Sequence, residues 1–255
     1  MSGFAGRHVL VTGAGTGIGA AIATAFAAEG AHVSLCGRRA APLQALATQL
    51  GETARAIDGF DVTDAAAIFR GLARSWGRVD ILVNNAGEVQ SGPFAALTQD
   101  AWNATLSANL TGTFLVTQAV LPAMREAGSG RIINVASTAG LIGYPYVAAY
   151  VAAKHGVVGL TRALALELAR TSITVNAVCP GFTDTPLVDR SIATIAAKTG
   201  RSDEEARAQL ARSNPLGRLV RPEEVAQAVL WLAQYGSAAI TGQAIAVAGG
   251  EVMVG

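Results

Sequence analysis

Cysteine is almost missing from this chain: Cys36 and Cys179 stand far apart among 255 residues. They form no CxxC pair and join no Cys/His cluster, which excludes a disulfide scaffold and a structural zinc site. Both read as small buried hydrophobes in a reducing compartment. Charge is also scarce, and no sign dominates. Nineteen basic and 18 acidic residues leave a net charge of +1, so neither nucleic acid nor an anionic membrane surface is an expected partner. With 51% hydrophobic and 15% charged residues, the composition excludes a disordered chain. The stretch Ile132–Ala153, which carries no formal charge, is interrupted by Asn134, Ser137, Thr138, Gly140, Gly143 and Pro145. It reads as a buried strand, a loop and a helix start, not as a membrane span. Met1–Arg7 lacks the pattern of a secretory signal, so the expectation is a soluble, cytoplasmic protein.

Glycine, by contrast, is abundant: 29 residues beside only 8 prolines. Without low-complexity tracts, this points to many tight backbone sites. At about 150 residues per domain, the length fits one large domain over 1–255 with a core that needs no staple.

Two kinds of segment alternate. Short aliphatic, β-branched runs occur at His8–Thr12, His32–Cys36, Ala56–Phe60, Val79–Val83, Arg131–Val135, Ile173–Val178 and Ala244–Val247. Their continuous apolar character predicts strands covered on both faces, as in a parallel sheet. Helical spacing appears between them at Ile18–Gly30, Ala40–Leu50, Thr63–Trp76, Gln99–Glu126, Ala148–Arg170 and Pro222–Gln234. Such alternation predicts an α/β, doubly wound (Rossmann) sheet with right-handed crossovers. The polar stretch 181–218 breaks the rhythm and holds one short helix near Asp203–Ala211. It is long for a connection, as substrate loops are.

Three features carry chemistry. The first is Thr12-Gly13-Ala14-Gly15-Thr16-Gly17-Ile18-Gly19, where a strand enters a glycine turn and then a helix. A helix N-terminus offers unpaired N–H groups and partial positive charge, which suits a diphosphate. The better register is Gly13-x-x-x-Gly17-x-Gly19, because the strand ends just before Gly13. The second is Cys36-Gly37-Arg38-Arg39 at the end of the second strand. An acid there would bond a ribose 2′-hydroxyl; its absence, with Arg38 present, favours NADP(H) over NAD(H). The third is Tyr150 and Lys154, spaced i, i+4 on one helix face. A lysine ammonium near a phenol favours the phenolate, which creates a general acid/base for hydroxyl–carbonyl interconversion. Ser137 follows a strand at its carboxyl end, where its hydroxyl can bond a substrate carbonyl. His155 adjoins Lys154 but faces elsewhere on the helix.

These motifs, with Asp61-Val62, Asn84-Asn85-Ala86-Gly87, Asn109 and Pro180-Gly181, resemble the short-chain dehydrogenase/reductase family in order and over nearly the whole chain. The resemblance implies a seven-stranded parallel sheet of order 3-2-1-4-5-6-7 in a homo-oligomer, a dimer or tetramer. It implies Tyr150 as proton donor and Ser137 as carbonyl ligand. Lys154 would lower the tyrosine pKa and hold the nicotinamide ribose, and Asn109 would support a water linked to Lys154. Gly13, Thr16, Gly17 and Ile18 would surround the diphosphate. Asp61 and Val62 would border the adenine, with Asn85, Ala86 and Gly87 on the adenosine and ribose side. Thr183 would meet the nicotinamide carboxamide, with Thr185 close by. No metal is implied.

Within the family, Ser137-Thr138-Ala139-Gly140, Lys154–Gly159 and Asn176–Phe182 resemble polyketide ketoreductases and 3-oxoacyl-thioester reductases. Glu88-Val89-Gln90-Ser91-Gly92 stands where those reductases often carry Pro-Gly-Gly. The expected function is hydride transfer between NADP(H) and a ketone or secondary alcohol, with a CoA- or carrier-bound 3-oxoacyl thioester or polyketide as the substrate class. The alternatives are an NAD-dependent dehydrogenase of a 3-hydroxyacyl-CoA or cyclic alcohol, and a non-catalytic dinucleotide-binding sensor. The intact Asn109, Ser137, Tyr150 and Lys154 argue against the sensor.

Overall fold

Seven parallel strands form the centre of the computed structural model, which describes residues 3–253. They are β1 (His8–Thr12), β2 (His32–Cys36), β3 (Ala54–Ile57), β4 (Ile81–Asn84), β5 (Ser129–Val135), β6 (Ser172–Pro180) and β7 (Ala244–Val247). The order β3-β2-β1-β4-β5-β6-β7 is the one that the resemblance implied. The third strand lies earlier than the apolar run Ala56–Phe60 suggests. It pairs Val33–Cys36 with Ala54–Ile57, and Phe60 instead packs into the core beyond the strand end.

Helices cover both faces. On one side, Ile22 and Phe26 of α1 (Gly17–Ala28) meet Val229 and Leu232 of α9 (Pro222–Ala233) over Val9, Val11, Val33 and Val83. α2 (Ala40–Leu50) adds Leu43 and Leu46 to that layer. On the other side, Ile68 of α3 (Ala65–Ala73) packs with Val116, Val120 and Met124 of α5 (Gly112–Glu126) and Ala165 of α6 (Ala148–Glu167). Asp64 caps α3 by accepting the Ala66 N–H at 2.8 Å, so this helix starts two residues later than predicted.

A buried polar ladder locks α5 and α6 to the sheet. Asn84 and Asn134 are paired across β4 and β5, and the Asn84 amide donates to Asn134 and to Thr117, each at 2.9 Å. Asn134 donates to Thr161 at 2.9 Å. Each buried amide thus has its partners, which such groups require.

Two expectations need correction. The predicted helix Gln99–Glu126 is not continuous. It comprises α4 (Gln99–Leu106), a π-turn over Ser107–Thr111, and α5. The stretch 181–218 holds two helices, not one: α7 (Pro186–Thr199) precedes α8 (Asp203–Ala211). Val188, Ile192 and Ala206 bury a small satellite core with Leu219. The Ile132–Ala153 segment resolves into strand, one-turn helix, loop and the start of α6, and no helix among the described residues is long and apolar enough to cross a membrane.

Candidate active site

The carboxyl ends of β1, β4, β5 and β6 converge on one edge of the sheet, where the chain reverses its winding direction between β1 and β4. The glycine turn lies there. Gly13 and Gly17 have φ of +65° and +57°, a left-handed backbone that favours glycine. A Cβ on Gly19 would stand 2.3 Å from the Gly13 carbonyl oxygen, so the helix can approach the turn only without a side chain. These three positions are the Gly13-x-x-x-Gly17-x-Gly19 register. The N-terminus of α1 begins at Thr16 with no side-chain cap and no acid in its first turn. Its N–H groups therefore remain available to an anion. Thr185, at the start of α7, packs over this turn: a Cβ on Gly17 would stand 3.1 Å from its methyl group. The donor set and open backbone fit a dinucleotide diphosphate.

The loop after β4 is built around Thr12. Its hydroxyl accepts the N–H groups of Asn85 and Ala86, both at 3.0 Å. The Asn85 amide donates back to the carbonyls of Thr12 and Gly13 at 3.0 and 3.2 Å. Asn85 is thus committed to bracing the glycine turn. Beyond β3, the Asp61 carboxylate accepts the Thr63 N–H and hydroxyl at 2.9 and 2.8 Å. The Thr63 N–H, with its hydroxyl and Arg38 assisting, holds Asp61 below the usual carboxylate range. Val62 packs against Gly112 at the head of α5. Ile18 is partly buried against the core that α1 covers.

Arg38 is exposed, and its guanidinium lies 3.8 Å from the Glu88 carboxylate. No local pattern in the chain points to a meeting with Glu88. β2 and β4 flank β1, so the loops that follow them become neighbours.

The four candidate catalytic residues come together at the ends of β4 and β5. Ser137 caps a single turn (Thr138–Gly140) after β5, its hydroxyl accepting the Ala139 N–H at 3.1 Å. Tyr150 and Lys154 face it from α6. The Lys154 ammonium is buried, donates to the Val135 carbonyl at 2.9 Å, and lies 5.6 Å from the Tyr150 ring centre. Asn109 is fully buried within the π-turn. Its amide donates to the carbonyls of Glu88 and Thr105, both at 2.9 Å, and its oxygen accepts the Glu88 N–H at 3.3 Å. A Cβ on Gly87 would stand 2.6 Å from the Asn109 oxygen and 3.7 Å from the Lys154 ammonium. Asn109 thereby braces the loop after β4, whose Gly87 lies beside both Asn109 and Lys154. His155 is exposed and its ring bonds the Val151 carbonyl, away from this cluster.

The electrostatics depart from one expectation. Burial pushes the Tyr150 phenol up to about 12, and the Ser137 hydroxyl opposes that shift. The Lys154 ammonium stands over the Tyr150 ring, and burial is the largest cause of the phenol's shift. Burial also lowers Lys154 itself to about 8. Tyr150 is therefore protonated at neutral pH, which is the state an acid needs. Cys179 is buried beneath the cluster, its thiol raised to about 11 mainly by burial.

Thr183 and Thr185 are buried at the root of the 181–218 segment. Thr183 donates to the Gly181 carbonyl at 2.9 Å, and Thr185 to the Thr183 carbonyl at 3.2 Å. A parallel bridge from Thr183 to Val220 closes the segment on itself. Across the mouth, the Gly92 N–H donates to the Tyr146 carbonyl at 2.8 Å, and Tyr146 holds a φ of +68°. That conformation is an outlier for an aromatic residue.

A sequence profile described as short chain dehydrogenase matches residues 7–196. The solved structure of a point variant of actinorhodin polyketide ketoreductase with NADPH is 43% identical, with a TM-score of 0.90 over 96% of this chain and 97% of that one. A 3-oxoacyl-[acyl-carrier protein] reductase from Brucella melitensis with bound NAD is 34% identical, with a TM-score of 0.88 over 99% and 94% of the two chains. A D-beta-hydroxybutyrate dehydrogenase from Cupriavidus necator is 39% identical over 97% of this chain and 98% of its own.

Proposed function

The chain belongs to the short-chain dehydrogenase family, and from that membership we propose that it reduces a ketone on a 3-oxoacyl thioester or polyketide chain, with NADP(H) preferred over NAD(H). The observation that carries this reading is the gathering of Ser137, Tyr150, Lys154 and Asn109 beside an uncapped helix N-terminus. The nicotinamide dinucleotide supplies the hydride when bound. The chain's own residues handle binding and the proton. Ser137 donates a hydrogen bond to the carbonyl oxygen and stabilises the charge that develops there. Tyr150 gives its phenolic proton to the same oxygen. The Lys154 ammonium keeps one N–H on the Val135 carbonyl and directs the others to the nicotinamide ribose and to a proton-relay water supported by Asn109.

Gly13, Thr16, Gly17 and Ile18 hold the diphosphate, and Thr185 closes over it from α7. Asp61 and Val62 border the adenine, with Asn85, Ala86 and Gly87 shaping the adenosine side. Arg38 meets the 2′-phosphate, and Thr183 lies at the carboxamide. The 181–218 segment covers the substrate. Exposed Phe114 and Leu166 on α5 and α6 support assembly into a dimer or tetramer. One observation favours a second reading, an NAD-dependent dehydrogenase of a 3-hydroxyacyl substrate: Glu88 already occupies Arg38.

A panel of acetoacetyl-CoA, aryl ketones, decalones and cyclic diketones, followed by absorbance with NADPH and NADH, separates the two. Tyr150→Phe is expected to lose about 10²–10⁴ in turnover while keeping its cofactor dissociation constant. Full turnover in that variant removes Tyr150 from the chemistry.

A further inference from the structure

One polar cluster beside the site has no role in the chemistry above. The Tyr144 hydroxyl lies 2.6 Å from Oε1 of Glu251 and 2.8 Å from Oγ1 of Thr138. A phenol has a single proton. The carboxylate takes it, since a charged acceptor at that distance makes the stronger bond. The Thr138 hydroxyl must then donate to the Tyr144 oxygen, and the chain of bonds runs Thr138 to Tyr144 to Glu251. Burial and the Glu251 carboxylate both raise the phenol's pKa, in keeping with that direction.

Of the three residues, Thr138 and Tyr144 lie close together in the connection between β5 and α6, while Glu251 comes from the tail after β7. Phe182 adds a fourth, its ring edge-on to Tyr144 at 5.9 Å and 81°. Among the described residues, Tyr144 is the one hydrogen-bond donor to the Glu251 carboxylate; the second oxygen, Oε2, is buried beside Gly181 without a partner. A carboxylate held so incompletely costs stability, and its position next to the carbonyl-binding turn gives that cost a use. Thr138 follows Ser137 directly and opens the turn that Ser137 caps. The same turn carries the Ala139 N–H that the Ser137 hydroxyl accepts.

We propose that Tyr144 and Glu251 act as one positioning unit, in which the tail carboxylate holds the phenol, the phenol holds Thr138, and Thr138 sets Ser137 against the substrate carbonyl. The proposal rests on the reading of Ser137 as the carbonyl ligand. Tyr144→Phe keeps the ring and its contact with Phe182 but removes the hydroxyl. The expected loss in kcat/KM is roughly ten- to a hundredfold, the scale on which small misplacements of a reacting group are felt. The NADPH dissociation constant, read by fluorescence, stays at the unmodified value. Glu251→Ala gives the same loss, and the double variant is no worse than either single one, because both remove the same device. Glu251→Gln recovers most of the activity, since its amide oxygen still accepts the phenolic proton.

Unimpaired kcat/KM in Tyr144→Phe, losses that multiply in the double variant, no recovery in Glu251→Gln, or cofactor affinity falling in step with turnover would each overturn the proposal. Tyr150→Phe is measured alongside. If it turns over normally, the reading of the whole site fails; if it is inactive while Tyr144→Phe is unimpaired, only the brace fails.

Discussion

Cofactor choice offers the cleanest perturbation, because the groups around the expected 2′-phosphate position are few and exposed. Arg38 and Glu88 are 3.8 Å apart, with 70% and 37% of their side-chain surfaces accessible. Such an exposed pair contributes about 0–1 kcal/mol, so a phosphate displaces Glu88 at little cost. A hydrogen bond between charged groups contributes about 1.5–3 kcal/mol. Subtracting about 0.5 kcal/mol for the lost pair leaves about 1–2.5 kcal/mol, or about five- to sixtyfold in favour of NADPH at 1.4 kcal/mol per decade. Glu88→Gln frees Arg38 and removes a repelling charge, so it raises the ratio. Its backbone bonds to Asn109 are untouched, and turnover is preserved. Gly37→Asp with Arg38→Leu reverses the preference. Position 37 accepts the side chain, since a Cβ there makes only ordinary contacts of 3.6 Å with Leu43. Fluorescence titrations with both cofactors at two salt concentrations give the constants, and the NADPH advantage should shrink as salt rises. Tighter binding of NADH by the unmodified protein, or a Glu88→Gln ratio shifted toward NADH, refutes the reasoning.

Three further outcomes follow from the geometry. Asn109→Ala strips both backbone groups of Glu88 of their partner; it should cost about 1–3 kcal/mol in denaturant unfolding and slow turnover per folded molecule, whereas a normal rate would leave Asn109 a purely structural residue. Gly19→Ala forces a Cβ to within 2.3 Å of the Gly13 carbonyl, so calorimetry should register about 1–3 kcal/mol of overpacking together with weakened cofactor binding. His8 is buried between Ser34 and the Arg78 carbonyl, and burial lowers its pKa in the folded state. Its neutral form is therefore the one the fold prefers. That stability is complete above the unfolded value of about 6.5 and is lost as pH falls through the lower folded value. His8→Gln should flatten the stability profile below about pH 6.5, and an unchanged slope would discount this residue.

The parts legible in the sequence are those whose physics is local. Strands covered on both faces need continuous β-branched runs, so His8–Thr12 and His32–Cys36 could be bounded to the residue. The glycine register was readable because φ and close approach act over seven positions. α7 escaped because its surface is polar, yet its signals were present: Thr185 before Pro186 at the start, and Gly200 in the left-handed conformation at the end. The break at Asn109 carried a weaker signal, since only the position of an asparagine inside an apolar helix hints at it. Its cause is tertiary: the side chain turns to the Glu88 backbone, twenty-one residues away in the chain. Tyr144 and Glu251, separated by 107 positions, had no signal at all.

What divides the two groups is the sheet order. Local patterns say which chemistry a residue can perform, while the β2-β1-β4-β5-β6 sequence of strand ends decides which residues meet. Ser137 follows β5, and Tyr150 and Lys154 lie on the helix after it, so the crossover that makes the sheet parallel also brings the Tyr150 phenol to the Ser137 hydroxyl. Arg38 follows β2 and Glu88 follows β4, and they meet only because β1 stands between those strands. The family motif lies on the first kind of contact. The second kind, where this chain carries Glu88, Tyr144 and Glu251, is where the proposed cofactor and substrate preferences would be set while Ser137, Tyr150 and Lys154 stay the same.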